Sequence, residues 1–405
     1  MRCNKHQMIR KWFNNIGPGT LIAAAFIGPG TITVCTIAGE SHGVSLLWAM
    51  LLSIIITVVL QEMTARVGLV SGKGLAQVVK DSISNRIVRL FILGLIIAAI
   101  FIGNVAYEAG NISGGVIGLE LLFNQQAWFP VILGIIAFSL LMTGSYKVIE
   151  RVLVVLVIIM GISFIGAAIA IRPSIIDILK GLFTPSITAD NLLTVTAIVG
   201  TTVVPYNLFL HASLVNQKWN NTSDLKAARK DTIIAVFIGG IVSMAIIIAG
   251  STLTTSDIPT SADLATSLEP IYGDASNYVF AIGIFSAGLT SAITAPLAAA
   301  YVLKECLGWN VGMKDIRFRI SWMIVLVIGV LFASLGFKPV AIITFAQIAN
   351  AILLPVIAIL LIVLVNSKLM GSHKNKLWLN VVAAMIVLFC MLLGVKSLIK
   401  VFEWL

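Results

Sequence analysis

Two short runs carry the chemistry that this sequence offers. Gly28-Pro29-Gly30-Thr31 interrupts the first long apolar segment, and Gly200-Thr-Thr-Val-Val-Pro-Tyr-Asn207 interrupts the sixth. Proline has no N–H and clashes with the turn before it, and glycine weakens helix further. Each run therefore ends one half-helix with unpaired carbonyls, near Ala25–Ile27 and Val199–Thr201, and starts another with unpaired N–H groups. Carbonyl ends favour cations and N–H ends favour anions, so such a centre suits a cation, a zwitterion or a polar solute. The intervening side chains are neutral. Gly28, Gly30, Thr31 and Thr33 flank one break, and Thr201, Thr202, Val204, Tyr206 and Asn207 flank the other. Gln347 and Asn350, on one face of a later segment, complete the candidate ring. Thr31, Thr201 and Gln347 are the oxygen ligands expected if a metal ion binds.

The elements that position these residues follow from composition. The chain has 405 residues, 59% of them hydrophobic and only 11% charged, which excludes an ordinary soluble protein. Helices are expected near 17–42, 45–67, 88–110, 128–144, 152–171, 190–217, 231–254, 276–303, 320–337, 340–366 and 378–400. That gives an all-α integral membrane protein of about eleven crossings, since a span needs about 20 residues. Five helices per half, each half opening on a broken helix, make an inverted repeat with the site at its interface. The expected units are a single transmembrane domain with repeats at about 15–172 and 188–367 and an appended helix at about 378–400. Breaks paired in this way set Pro29 and Pro205 apart from Pro296 and Pro355, which read as simple kinks.

The net charge of +10 is spread by topology rather than gathered for nucleic acid. A cytoplasmic N-terminus leaves only Arg172, Lys180, Lys338, Lys396 and Lys400 for the opposite side, a strong orientation signal. An odd number of crossings then puts the C-terminus outside. The segment 255–276, with Asp257, Asp263, Glu269 and Asp274, reads as a solvated acidic external loop. Most tryptophans fall near span ends, as interfacial anchors do. The four cysteines are scattered, so no disulfide framework or zinc site is expected. No nucleotide loop, catalytic triad or metalloprotease motif is present, so an enzyme is not expected.

Ionisable groups within a span are functional candidates by default. Glu108 is the foremost proton or cation candidate. Glu40, at the outer end of the first segment, reads equally as a vestibule group or a relay. His211 follows the second break by just over one turn and reads equally as a titrating group or a hydrogen-bonded core histidine. Glu62 has Arg66 four residues on, the favourable helical spacing for an ion pair.

A family resemblance rests on several stretches in order. They are Gly17-Pro18-Gly19 through Gly30, Ala38-Gly39, Leu46-Leu47-Trp48, Gln61, Ala65-Arg66 and the Ser71-Gly72-Lys73-Gly74-Leu75 loop. Gly118-Leu119, Leu121-Leu122-Phe123, the Pro205 break with His211-Ala212-Ser213-Leu214, and Ala346-Gln347 continue it. Together they resemble the NRAMP family of divalent metal transporters over most of the first ten helices. The resemblance implies the leucine-transporter-like inverted repeat and transport by alternating access, and it ties His211 to a proton path.

The resemblance departs at the metal ligands. The family's Asp-Pro-Gly-Asn is here Gly28-Pro29-Gly30-Thr31, and its Met-Pro-His is Val204-Pro205-Tyr206. An outer-path aspartate is Cys35, while Glu108 and Asn111 align with the family's acidic proton groups. A lost thioether argues against manganese or iron selectivity. A lost carboxylate makes a dehydrated divalent ion costly at the midplane. Magnesium, which keeps its water, suits a wider neutral site, and the family has a magnesium branch with a remodelled site that this chain resembles. Two readings stand: a carrier of a hard divalent cation without obligatory proton coupling, or a same-fold carrier of a neutral or zwitterionic solute such as an amino acid. The expected surroundings are a lipid bilayer, most simply a bacterial inner membrane, with no resident cofactor and no nucleic acid. The oligomeric state is left open.

Overall fold

A chain surrounded by hydrocarbon must satisfy its peptide groups within itself, and among the described residues the long apolar runs form helix. The computed structural model describes residues 17–123, 125–219, 221–253, 272–335 and 354–402, and no strand occurs among them. The helices are α1 (Pro18–Phe26), α2 (Pro29–His42), α3 (Leu47–Ser71), α4 (Leu75–Ser82), α5 (Arg86–Ile97) and α6 (Gly103–Phe123). There follow α7 (Phe129–Met142), α8 (Tyr146–Ile171), α9 (Ile175–Phe183), α10 (Leu192–Thr202), α11 (Pro205–Lys218) and α12 (Leu225–Gly250). The chain then forms α13 (Ser276–Leu307), α14 (Ile316–Ala333), α15 (Leu354–Val365) and α16 (Leu377–Phe402). Among the described residues, eight helical stretches are long and apolar enough to cross a membrane. One of them, Pro29–Ser71, folds back at Gly43–Leu46 and so makes two crossings. With the shorter apolar helices α7 and α15, the expected eleven crossings are reached.

Both breaks fall at the expected prolines and share one backbone geometry. Ile27 (φ −84°, ψ 63°) and Val203 (φ −97°, ψ 73°) each cap a first half-helix, and Gly28 and Val204 are extended before the proline. The first half of each broken helix packs on the second half of the other, α1 on α11 and α2 on α10. The 192–218 stretch is 89% buried over its most apolar window, against 28% for α8, so the broken helices are core and α8 faces lipid. Outward-facing Ile87, Leu90, Phe91, Ile162 and Ile169 continue that apolar belt.

Three boundaries differ from expectation. Helix is expected to stop near residue 110, but α5 continues through a π-helical segment (Ala98–Ile102) into α6 and runs to Phe123. The glycines that read as a loop, Gly114, Gly115 and Gly118, are instead buried in a helix crossing. Gly115 and Gly288 meet backbone to backbone, and a Cβ on Gly288 would strike the Gly115 backbone. The residues 147–151, expected as a loop, are the first turns of α8. The short helices α4 and α9, apolar on one face only, have no expected counterpart.

Two carboxylates, Asp231 half-buried and Glu305 buried, hold helix starts in place. Asp231 of α12 accepts from the backbone N–H groups of Gly17 and Gly19, both at 2.8 Å, and so caps α1. Glu305 of α13 accepts from Ser213 Oγ at 2.5 Å and from the Ala76 N–H at 3.2 Å, tying α4 to α11. Glu62 pairs with Arg66 at 3.0 Å, as its spacing predicts, and also with Arg229 at 2.7 Å. Cys35, Cys306 and Cys390 are buried free thiols.

The crossing of α6 and α13 is testable. Gly288→Val should destabilise the detergent-solubilised protein by about 1–3 kcal/mol, the usual cost of overpacking. A thermal melt checks this, and an unchanged midpoint would mean that the two helices part easily at Gly115.

Candidate functional site

Because the two breaks lie side by side, their side chains meet. Thr31 Oγ1 and Thr201 Oγ1 are 2.8 Å apart, and Thr31 Oγ1 also donates to the Phe26 carbonyl at the end of α1. Thr202 Oγ1 donates to Ile198 O at 2.8 Å and lies 3.7 Å from Met50 Sδ. Its carbonyl accepts from Thr57 Oγ1 at 3.5 Å. The Val199 carbonyl, expected to be open, is engaged by the Val203 N–H at 2.9 Å, as Ala23 is by Ile27 at 3.0 Å. At the second break the open carbonyls thus begin one residue later than expected, at Gly200, since α10 runs to Thr202.

The centre is sealed and rich in unmatched polar atoms. Thr31, Thr33, Thr201, Thr202, Tyr206 and Asn207 are each at most 2% exposed. Thr33 Oγ1, both side-chain polar atoms of Asn207 and Ser291 Oγ have no hydrogen-bond partner. The Tyr206 hydroxyl faces Thr294 without a well-formed bond, and its ring meets Tyr107 edge-on at 5.6 Å. A buried polar group without a partner costs about 1–3 kcal/mol, so several around one point need a polar guest or water. Every group in this set is formally neutral. Its oxygens can coordinate a hydrated cation or hold a polar solute.

Ser291 was not legible as a site residue, yet it defines the centre. It projects from α13, which contacts both α1 and α2. A Cβ on Gly28 would collide with Ser291 Oγ, so this hydroxyl fills the space that a side chain at position 28 needs. A polar stripe, Ser286, Thr290, Ser291 and Thr294 in an otherwise apolar helix, was the available signal.

The remaining candidates separate. Gly30 and Val204 are buried at the two hinges, Gly30 within α2 and Val204 as the cap of α11. Glu108 is fully buried, with Oε2 accepting from Asn111 Nδ2 at 3.1 Å and Oε1 unpaired. It packs against Gly329 of α14, one residue along from Tyr107. His211 Nδ1 is 2.8 Å from Gln61 Oε1, and its Nε2 is unpaired. Glu40 lies at the far end of α2, half-buried, with Ser41 Oγ on its carboxylate at 2.9 Å. Gln347 and Asn350 lie outside the described residues, as do Asp257, Asp263 and Glu269 of the acidic segment. Among the described residues, no group of three His, Cys, Asp or Glu could hold a metal.

The chain matches the family model "Natural resistance-associated macrophage protein-like" (Nramp) over residues 19–400. It is 28% identical to the divalent metal cation transporter MntH of Staphylococcus saprophyticus, over 97% of this chain and 93% of that protein. It is 29% identical to MntH of Staphylococcus haemolyticus with the same coverage. The Eremococcus coleocola manganese transporter, solved with an aromatic bis-isothiourea substituted compound, has a TM-score of 0.81 at 21% identity, covering 97% of this chain and 88% of that one. MhsT in complex with L-phenylalanine has a TM-score of 0.64 at 17% identity, covering 93% and 98%. The fold is therefore the leucine-transporter-like one expected.

Ser291 predicts how position 28 behaves. Gly28→Asp alone should lower the melting midpoint and leave manganese binding undetected by calorimetry. Gly28→Asp with Ser291→Gly should recover the midpoint and bind manganese. Tight manganese binding by the single variant, with an unchanged melt, would show that Ser291 does not occupy that space.

Proposed function

Since the chain belongs to the Nramp family of membrane transporters, we propose that it carries a hard divalent cation, magnesium foremost, in hydrated form and without obligatory proton coupling. The observation that carries this reading is the uncharged centre. Thr31, Thr201, Asn207, Tyr206 and Ser291 offer oxygen ligands and no carboxylate. Hard oxygen donors suit magnesium, and a cation that keeps its waters needs no formal charge from the protein. The buried, unmatched atoms of Asn207, Thr33 and Ser291 are donors and acceptors for those waters. Glu108 and His211, each with one unpaired polar atom, are the candidate groups for any residual proton movement.

The relatives named as metal transporters support the cation over an organic solute. The second reading, a neutral or zwitterionic solute, keeps one supporting observation. Half-helix ends of both polarities face one neutral centre, which matches a carboxylate and an amine as well as a hydrated ion. We place the N-terminus in the cytoplasm on the distribution of Lys and Arg. The repeats assigned from the sequence, at about 15–172 and 188–367, belong to the same reading.

Uptake into proteoliposomes tests it with magnesium, manganese, calcium and a panel of amino acids while internal pH is followed. Magnesium flux without internal acidification is expected. Uptake of an amino acid with no flux of any divalent ion would replace the first reading by the second. Thr31→Asp puts a carboxylate beside Thr201 and the Phe26 carbonyl. It should raise manganese affinity at least about tenfold, as a new ligand charge in low dielectric does. Unchanged affinity in a folded variant would show that position 31 does not face the ion.

A further inference from the structure

A cavity whose lining shares no residue with the hinges lies where α3, the start of α12 and the turn before α16 converge. It has a volume of about 460 Å³. Glu62 is shared there between two arginines: Oε1 accepts from Arg229 Nε and Nη2 at 3.0 and 2.7 Å, and Oε2 from Arg66 Nη2 at 3.0 Å. One carboxylate cannot neutralise two guanidinium groups. Lys374 and Lys376 add two exposed ammonium groups to the same lining, and neither has an ion-pair partner among the described residues.

The arginine is built in rather than laid on the surface. Arg66 is only 6% exposed, and its Nη1 and Nη2 hold His373 O at 2.8 Å and Asn375 Oδ1 at 2.6 Å. Its Nε is buried without a hydrogen-bond partner. Two guanidinium and two ammonium groups against one carboxylate in a single lining call for an anionic oxygen ligand.

The rest of the lining identifies the kind of anion. Val58, Val59, Leu225 and Leu379 supply apolar walls, and Trp378 is 63% exposed at the first turn of α16. A tryptophan at a span end marks the headgroup level. A cavity basic at its floor, apolar at its walls and open at that depth matches a phosphate with hydrocarbon attached better than a free anion. We infer that this cavity is a binding site for the phosphate of an anionic phospholipid, held by Arg66, Arg229, Lys374 and Lys376. The inference is independent of what passes through the hinges.

Lipid binding to the purified full-length protein tests this, using native mass spectrometry and thermal shift with dioleoylphosphatidylglycerol, dioleoylphosphatidylcholine and inorganic phosphate. Each Lys or Arg near an anionic headgroup contributes about fivefold in affinity. Lys374→Ala with Lys376→Ala should therefore weaken phosphatidylglycerol binding about 25-fold. Both lysines are exposed and unpaired, so the variant keeps its fold. Lys147→Ala with Lys314→Ala removes equal charge from exposed positions outside the cavity and should change affinity less than about twofold. Equal losses in the two variants would overturn the site in favour of diffuse surface attraction. Equal binding of phosphatidylcholine, or displacement of the lipid by millimolar inorganic phosphate, would overturn the assignment to an anionic lipid.

Discussion

A helix interrupted in the middle of an apolar body leaves peptide groups that neither lipid nor a regular helix can satisfy. Everything central in this protein answers that constraint. Each broken helix lends its partner a cover, α1 against α11 and α2 against α10. Thr31 reaches back across its own break to the Phe26 carbonyl, and Thr57 reaches in from α3 to the Thr202 carbonyl. Hydroxyls suit this task because each can donate to a stranded carbonyl and still accept from something else. The groups that stabilise the two breaks are consequently the same groups that line the proposed binding centre.

The parts of this arrangement that depend on local backbone chemistry were legible in the sequence. Pro29 and Pro205, with their glycine and threonine companions, located both breaks to within a residue or two. The Glu62–Arg66 pair followed from its spacing. The parts that depend on contacts between distant segments were not. Ser291 matters because Gly28 leaves room for it, and no pattern local to either residue reveals that. Gly114, Gly115 and Gly118 fall between the expected helices 88–110 and 128–144; glycine disfavours helix in water, whereas inside a membrane it permits close crossing. Asp231 and Glu305 act on N–H groups more than 200 residues away in sequence and carry no local motif.

The exchange of charge for hydroxyls at the hinges also shifts where electrostatic work is done. Apart from Glu108, the carboxylates that tie helices together lie near helix ends, as Asp231, Glu305 and the Glu62 cluster do. The side chains at the hinges between them are neutral.

Asp231 has a consequence for how the molecule divides its time among conformations. Its two bonds to Gly17 and Gly19 fix the start of α1 to α12, so any state in which that half-helix swings away must give them up. Bonds to a charged acceptor contribute about 1.5–3 kcal/mol each, net of solvation. Losing both would disfavour such a state by a factor on the order of 10² to 10⁴. The carboxylate and the freed N–H groups would be taken up by water once exposed, which keeps the open form reachable. Asp231 is thus a weight on the conformational equilibrium: it sets how rarely this end opens without touching what is carried.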